Sequence, residues 1–156
     1  MPDPSVPPPT IHCDRVIAFA IVNKSVAYSG HTSLFRNGKE VGRVPCLAIC
    51  DDRKHADILL LHCDRDWTVL GCGGGYGSVA EAKENAERIY PGLSTHWVDA
   101  GYSEEDAERH LDEIFQDDRC SFCGKRADQI EKLIGKDQLR ICNLCIDEFH
   151  GIIHES

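Results

Sequence analysis

The sequence lacks any long hydrophobic run. A helix that crosses a bilayer needs about 18 consecutive apolar residues, and no stretch of the 156 residues approaches that length. The first nine residues contain neither the basic region nor the apolar region of a secretory signal. These two absences argue against a membrane protein and predict a cytoplasmic one.

Positive charge is also scarce. Lysine and arginine total 17 against 26 aspartate and glutamate residues, which gives a net charge of -9 at pH 7. A protein that binds duplex nucleic acid needs a basic face to displace counterions from the phosphates. The charge balance therefore disfavours nucleic acid as a partner.

Cysteine, in contrast, is abundant, with nine residues in the chain. In a reducing cytosol such residues serve as metal ligands, catalytic groups or buried core residues. An odd number also argues against a fully paired disulfide framework. Four of the nine form a tight pattern near the C-terminus. The other five are scattered: Cys13, Cys46, Cys50, Cys63 and Cys72.

Residues 11–115 carry the pattern of a small α+β domain. Short apolar and β-branched runs predict strands, at 15–22, 45–50, 57–63, 67–70 and 95–98. The Asn-Gly pair at 37–38 predicts a tight turn. Two helices are predicted later, with N-caps at Ser78 and Ser103. Because strands follow one another, we expect an antiparallel sheet with two helices, preceded by a disordered proline-rich tail at 1–10.

The last quarter of the chain holds two C-x2-C pairs separated by 18 residues, which is a zinc signature. Zn²⁺ prefers four tetrahedral ligands, and a closed four-thiolate shell leaves no position for a catalytic water. We therefore predict one structural Zn²⁺ and no catalytic residue, with four metal ligands: Cys120, Cys123, Cys142 and Cys145. Because so short a segment cannot bury a sufficient core alone, the metal would supply much of its folding free energy.

The spacing of apolar residues in this module predicts a short helix over 127–134 and a second helix that begins at Cys145. Three nearby cations are expected to soften the negative charge of the four-thiolate site: Lys125, Arg126 and Arg140.

Two segments carry a resemblance to a known family. They read Cys120-Ser-Phe-Cys123-Gly124-Lys125 and Ile141-Cys142-Asn-Leu-Cys145-Ile146-Asp147-Glu148, with Ile130 and Leu133-Ile134 between them and Ile152-Ile153 after them. Over residues 118–153 the chain resembles the ClpX-type C4 zinc finger, the small N-terminal domain of the ClpX unfoldase. The resemblance implies a treble-clef zinc fold. It also implies a module that forms dimers and binds adaptors and unfolded substrates through apolar surface.

The chain departs from the unfoldase in two ways. In the unfoldase the finger precedes an ATPase, whereas here it follows the α+β domain. The Gly-Lys pairs at 38–39, 124–125 and 135–136 are followed by Glu, Arg and Asp, whereas a P-loop requires Ser or Thr. We therefore expect no ATP-driven unfolding.

These observations favour a non-enzymatic, adaptor-like zinc protein. Its module at 118–154 would mediate dimerisation, or recognition of a protein partner or an unfolded substrate. A chaperone–protease system or its substrates are candidate partners, and a homodimer is the expected state. The alternative is a small-ligand sensor or an enzyme with a purely structural zinc. Its site would lie near the glycine-rich segment 71–77, where a connection between a strand and a helix is predicted.

A second metal site is an open question. Cys46 and Cys50 lie on the same face of a predicted strand, and they could join His62 or Cys63 around an ion. Free cysteines are among the most buried residues in proteins. Packing in the core is therefore the favoured role for these side chains.

Overall fold

A computed structural model describes residues 5–31 and 34–155. The chain divides into two compact units, Met1–Ala107 and Glu108–Ser156. The domain bounds predicted from the sequence, 11–115 and 118–154, stay predictions. No helix in the described part of the chain is long and apolar enough to cross a membrane.

The first unit is built on an antiparallel sheet, as the succession of short strands predicted. Its strands are β1 (Thr10–Ile11), β2 (Asp14–Ile21), β5 (Cys46–Asp51), β6 (Ile58–Cys63), β7 (Val69–Tyr76) and β8 (Val98–Asp99). The spatial order is β1-β2-β5-β6-β7, with β8 paired to β2. A separate hairpin joins β3 (Phe35–Arg36) to β4 (Lys39–Glu40). Its turn is the Asn-Gly pair at 37–38, where both residues have positive φ angles.

Both faces of the sheet are buried, because β5 is apolar at every position but its last. One face contributes Leu47, Ile49 and Leu60 to a core that includes Ala82 and Ala86 of helix α1 (Val79–Ile89). The other face has its own core around Phe19 and Trp67, whose rings meet edge-on at 5.8 Å.

Side-chain caps start two helices where the sequence predicts them. The Ser78 hydroxyl accepts the amide of Glu81 at 3.1 Å, while the Glu81 carboxylate accepts the amide of Gly77 at 2.8 Å. In helix α2 (Glu104–Ile114) the exchange is reciprocal, because Ser103 accepts the Asp106 amide and Asp106 accepts the Ser103 amide. Such caps satisfy amides that the first helical turn leaves unpaired.

The proline-rich tail is ordered in part, contrary to the predicted disorder at 1–10. Residues 1–4 lie outside the described residues. Pro7 is fully buried and its carbonyl accepts the Tyr102 hydroxyl at 2.7 Å. The Pro9 carbonyl accepts the amide of Val16 at 3.0 Å, and Thr10 already belongs to β1. The contact between Pro7 and Tyr102 joins residues 95 apart in the chain, which no local sequence pattern indicates.

The glycine-rich segment forms a strand, which contradicts the predicted loop at 71–77. Strand β7 pairs with β6 and includes four glycines. Leucine side chains lie close to the backbone at two of these glycines. An added Cβ at Gly71 would sit 2.7 Å from Leu34 Cδ1, and one at Gly74 would sit 2.8 Å from Leu59 Cδ2. Close approach of these leucines explains Gly71 and Gly74. Gly75 has no such neighbour within the described ranges, and its φ of 79° accounts for it. The Gly77 amide, at the end of this segment, donates to the Glu81 carboxylate and is not available to a ligand.

His62 is a buried histidine on the face that packs against α1. It is 2% exposed, and its ring lies 6.5 Å from that of Tyr90. Among the residues that the structure describes, its Nδ1 has no hydrogen-bond partner. Burial lowers the pKa of His62 to about 4 from the ordinary value of 6.5, because the positive charge of the protonated ring would be desolvated.

Acidification should therefore destabilise the first unit through His62. Below pH 6.5 the unfolded chain binds a proton that the folded chain excludes down to about pH 4. The contribution of His62 to the free energy of unfolding is complete above pH 6.5. It falls by about 3 kcal/mol as the pH is lowered from 6.5 to about 4. Urea unfolding followed by tryptophan fluorescence reports this unit alone, because both tryptophans, Trp67 and Trp97, lie in it.

The matched variants are His62→Leu and His31→Gln, the second of which changes an exposed histidine. The difference in stability between pH 7 and pH 4 should shrink by about 3 kcal/mol in His62→Leu and stay unchanged in His31→Gln. An equal pH dependence in all three proteins would contradict the assignment.

Candidate metal centre

The four predicted cysteine ligands come from three structural elements of the second unit: a turn, a strand and a helix. Cys120 and Cys123 lie in a tight turn, in which the Gly124 amide donates to the Cys120 carbonyl at 2.9 Å. Gly124 has a φ of 76°, which glycine adopts without strain. Cys142 ends strand β10 (Leu139–Cys142), and Cys145 lies in the first turn of helix α3 (Asn143–Ile153).

The four sulfur atoms lie within 4.8 Å of one another. The Sγ atoms of Cys120 and Cys145 are 3.8 Å apart, and those of Cys123 and Cys142 are 3.7 Å apart. A tetrahedral Zn²⁺ with Zn–S bonds of about 2.3 Å places its sulfur ligands about 3.8 Å apart. The spacing of the sulfurs thus fits a tetrahedral zinc ion, and thiolates are ligands that zinc prefers.

Backbone amides point at two of the sulfurs. The Cys142 amide lies 3.4 Å from Cys120 Sγ, and the Cys145 amide lies 3.4 Å from Cys142 Sγ. Burial opposes ionisation of Cys120, yet hydrogen bonds from the amides of Cys123, Phe122 and Cys142 lower its pKa to about 6. Helix α3 begins at Asn143, with Cys142 as its N-cap, so its start lies two residues before the predicted one.

Ionisation of the four thiols in the absence of a cation would be mutually unfavourable. Burial and the neighbouring sulfurs of Cys123, Cys142 and Cys120 raise the pKa of Cys145 to about 12. Like charges this close disfavour each other's ionised form. A divalent cation removes the conflict, because it stabilises all four thiolates at once.

The apolar core around the cysteines is small. Three of the four cysteines are buried, and four partly buried side chains pack against them: Ile130, Leu133, Ile141 and Phe149. The ring of Phe122 meets that of Phe149 edge-on at 5.4 Å. So little apolar burial is not expected to offset the conformational entropy of ordering the segment. We therefore expect folding of the module to depend on its metal.

The helix predicted over 127–134 is wrong. A single 3-10 turn spans Ala127–Gln129, and strand β9 (Leu133–Lys136) pairs with β10 in a hairpin. Ile134 lies opposite Ile141, and Asp137 makes the turn with a φ of 57°. Three apolar residues at this spacing fit a short helix or a strand equally well, and pairing with β10 decides between them.

Arg126, three residues after Cys123, is buried, and its structural role was not predicted. It is 4% exposed and donates hydrogen bonds to three carboxylates: Asp128 at 2.9 Å, Glu108 at 2.9 Å and Asp112 at 2.8 Å. The bonds to Asp128 raise its pKa above the ordinary value, although burial acts in the opposite direction. Arg140 likewise pairs with Asp118. Both arginines were expected to offset the negative charge of the thiolates. Their contacts are with carboxylates instead.

The cysteines considered for a second metal site lie in the core of the first unit. Cys46, Cys50 and Cys63 are at most 3% exposed and share one apolar cluster. His62 lies next to Cys63 in β6 and points to the opposite face of the sheet. Across residues 5–31 and 34–155, the four C-terminal cysteines are the one group of three or more His, Cys, Asp or Glu side chains close enough to share an ion.

Comparison with known proteins agrees with this geometry. No solved structure matches the chain with significance. The family described as the ClpX C4-type zinc finger matches residues 118–155, which is about a quarter of the chain. The match confirms the resemblance seen in the sequence, while the treble-clef arrangement stays a prediction. Together with the four sulfurs, it supports one structural Zn²⁺ in a module that matches the ClpX C4-type zinc finger.

Proposed function

We propose that the chain is a non-enzymatic, adaptor-like protein whose zinc module binds other proteins, with a second copy of the chain as its first partner. The four sulfurs fill the coordination shell of a tetrahedral ion, so no position remains for a substrate or a catalytic water. The metal would hold the module in its fold, and the module would use its surface to recognise other proteins.

The observation that carries this proposal is the apolar surface of α3. Ile146, Phe149 and Ile153 lie three, four or seven residues apart and therefore share one helix face. Phe149 packs against the metal cluster, whereas Ile153 is 75% exposed and Ile152 is 59% exposed. The rest of the module thus covers only part of the apolar face of α3.

Other exposed apolar side chains belong to the same module. Phe122, which contacts Phe149, is 57% exposed, and the hairpin exposes Ile134 and Leu139. Exposed apolar side chains concentrated in one small module favour an interaction site. A second copy buries such a face symmetrically, which is the commonest arrangement of homo-oligomers. A protein partner or an unfolded segment, including one from a chaperone–protease system, would use the same surface.

Nucleic acid is a poor candidate for this surface. The segment 116–156 has six lysine and arginine residues against eight aspartate and glutamate residues. Arg126 and Arg140, which a nucleic-acid site would need, are paired with carboxylates. Few cations therefore remain to displace counterions from phosphates.

Sedimentation velocity on the zinc-loaded chain tests the proposal. We expect a monomer–dimer equilibrium with a Kd in the range of about 1–100 µM. The double variant Ile146→Asp/Ile153→Asp should raise the Kd at least tenfold, because burying two carboxylates in an apolar interface is unfavourable. Phe35→Asp is the matched control, since Phe35 is 64% exposed in the first unit. A wild-type monomer at about 200 µM would contradict the dimer.

A further inference from the structure

The first unit contains a cavity of about 660 Å³ at one end of its sheet. Three neighbouring strands meet there. Ile21, the last residue of β2, lies opposite Cys46, the first residue of β5, and Cys46 lies opposite Cys63, the last residue of β6. The segments that leave these strand ends line the cavity. Its volume is in the range of small-molecule sites.

Three cations reach the cavity from those three segments. Lys24 follows β2, Arg43 precedes β5 and Arg65 follows β6. Within the described part of the chain no aspartate or glutamate lines the cavity. In a chain with 26 acidic and 17 basic residues, three converging cations without an acid are a local exception that favours an anionic ligand.

Arg43 is held in place without losing its charge. It donates one hydrogen bond to the Val26 carbonyl at 2.7 Å and another to the Asn23 carbonyl at 2.5 Å. Neutral carbonyls orient a guanidinium but leave its charge uncompensated. Counting only the described residues, three of the five N–H donors of Arg43 remain for a ligand. Such a preorganised fork suits the oxygens of a carboxylate or a phosphate.

Lys24 and Arg65 are also free of acidic partners within 5–31 and 34–155. Both are exposed. Asp64, which precedes Arg65, does not line the cavity. Its carboxylate accepts the amides of Asp66 and Thr68, each at 2.9 Å. The apolar part of the lining includes Ile21, Val44 and Pro45.

We propose that this cavity binds a small organic anion, whose carboxylate or phosphate faces Lys24, Arg43 and Arg65 and whose apolar body lies against Ile21, Val44 and Pro45. The shared chemistry is a monoanionic or dianionic group on an apolar body. This site is in the first unit and is independent of the function proposed for the zinc module. It also differs from the glycine-rich segment, which forms β7.

Titrations of the ¹⁵N-labelled full-length chain, followed by amide chemical shifts, test this site. The probes are benzoate and phenyl phosphate, with benzyl alcohol as the neutral analogue and inorganic phosphate as the anion without an apolar body. We expect at least one of the two organic anions to bind saturably, with shifts centred on residues 21–26, 43–46 and 65. Benzyl alcohol and inorganic phosphate should each bind at least tenfold more weakly than that anion. The comparison of benzoate with phenyl phosphate identifies the preferred head group.

Two double variants change the net charge of the protein by the same amount. Their comparison distinguishes binding at this site from a general effect of net charge. Lys24→Glu/Arg65→Glu should weaken binding at least tenfold, and Lys39→Glu/Lys54→Glu less than twofold. All four side chains are exposed, and the tryptophan fluorescence of each variant verifies its fold. The proposal is overturned if neither organic anion binds at about 10 mM, if benzyl alcohol binds equally well, or if the two double variants behave alike.

Discussion

Exchange of Cys142 for serine is expected to release the zinc and to unfold the second unit while the first unit stays folded. Cys142 is fully buried, closes the hairpin and caps α3, so it joins all parts of the metal centre. Structural zinc contributes about 10–16 kcal/mol to the folding of small modules. Because few apolar side chains surround the cysteines, little else would hold the fold.

Two readouts distinguish the units in this experiment. Native mass spectrometry counts the bound zinc, and tryptophan fluorescence follows the first unit, which contains both tryptophans. Cys72→Ser is the matched control, because Cys72 is exposed and lies outside the metal cluster. We expect one zinc per chain in the wild type and in Cys72→Ser, and none in Cys142→Ser. Full zinc occupancy in Cys142→Ser would refute the four-thiolate site.

Replacement of Arg126 by methionine should destabilise the second unit by about 3–5 kcal/mol, the usual effect of removing one partner of a buried ion pair. The Asp128 side chain is 9% exposed, so it would be left as a buried charge without its partner. Since folding and zinc binding are coupled, the loss should weaken the apparent zinc affinity by about a hundredfold or more.

Competition with a chromogenic zinc chelator measures this affinity. Arg119→Met is the matched control. Arg119 pairs with Asp112 at 3.0 Å and its side chain is 34% exposed, so its removal should cost at most about 1 kcal/mol. Addition of Asp128→Asn to Arg126→Met should recover part of the loss, because the unpaired charge is removed. An Arg126→Met protein with wild-type zinc affinity would show that the buried arginine does not stabilise the module.

The metal centre could be predicted from the sequence because its signals are local. Two C-x2-C pairs specify the ligands, and Gly124 marks the turn that brings the first pair together. The helix caps at Ser78 and Ser103 are equally local, since each is satisfied within three residues. Strands β2, β5 and β6 followed from runs of apolar residues, whereas the glycine-rich part of β7 did not. Their antiparallel pairing followed from their succession.

The features that the sequence did not predict depend on distant partners. The hairpin at 133–142 replaces a predicted helix because Ile134 pairs with Ile141. The structural role of Arg126 depends on its hydrogen bonds to Asp112 and Glu108, which lie 14 and 18 residues earlier in the chain. The cavity arises because three strand ends meet. The spacing of residues within one segment does not indicate contacts of this kind. They form only when the chain folds and brings separate segments together.

Photo-cross-linking from position 153 tests most directly whether the zinc module is an interaction surface. A benzophenone amino acid replaces Ile153 in the zinc-loaded, full-length chain, and a second protein carries the same group at Phe35. We predict a covalent dimer from position 153 only, with the cross-link mapped by mass spectrometry to residues 118–155 of the other copy and abolished when zinc is chelated. No dimer from position 153, or equal yields from both positions, would contradict the account.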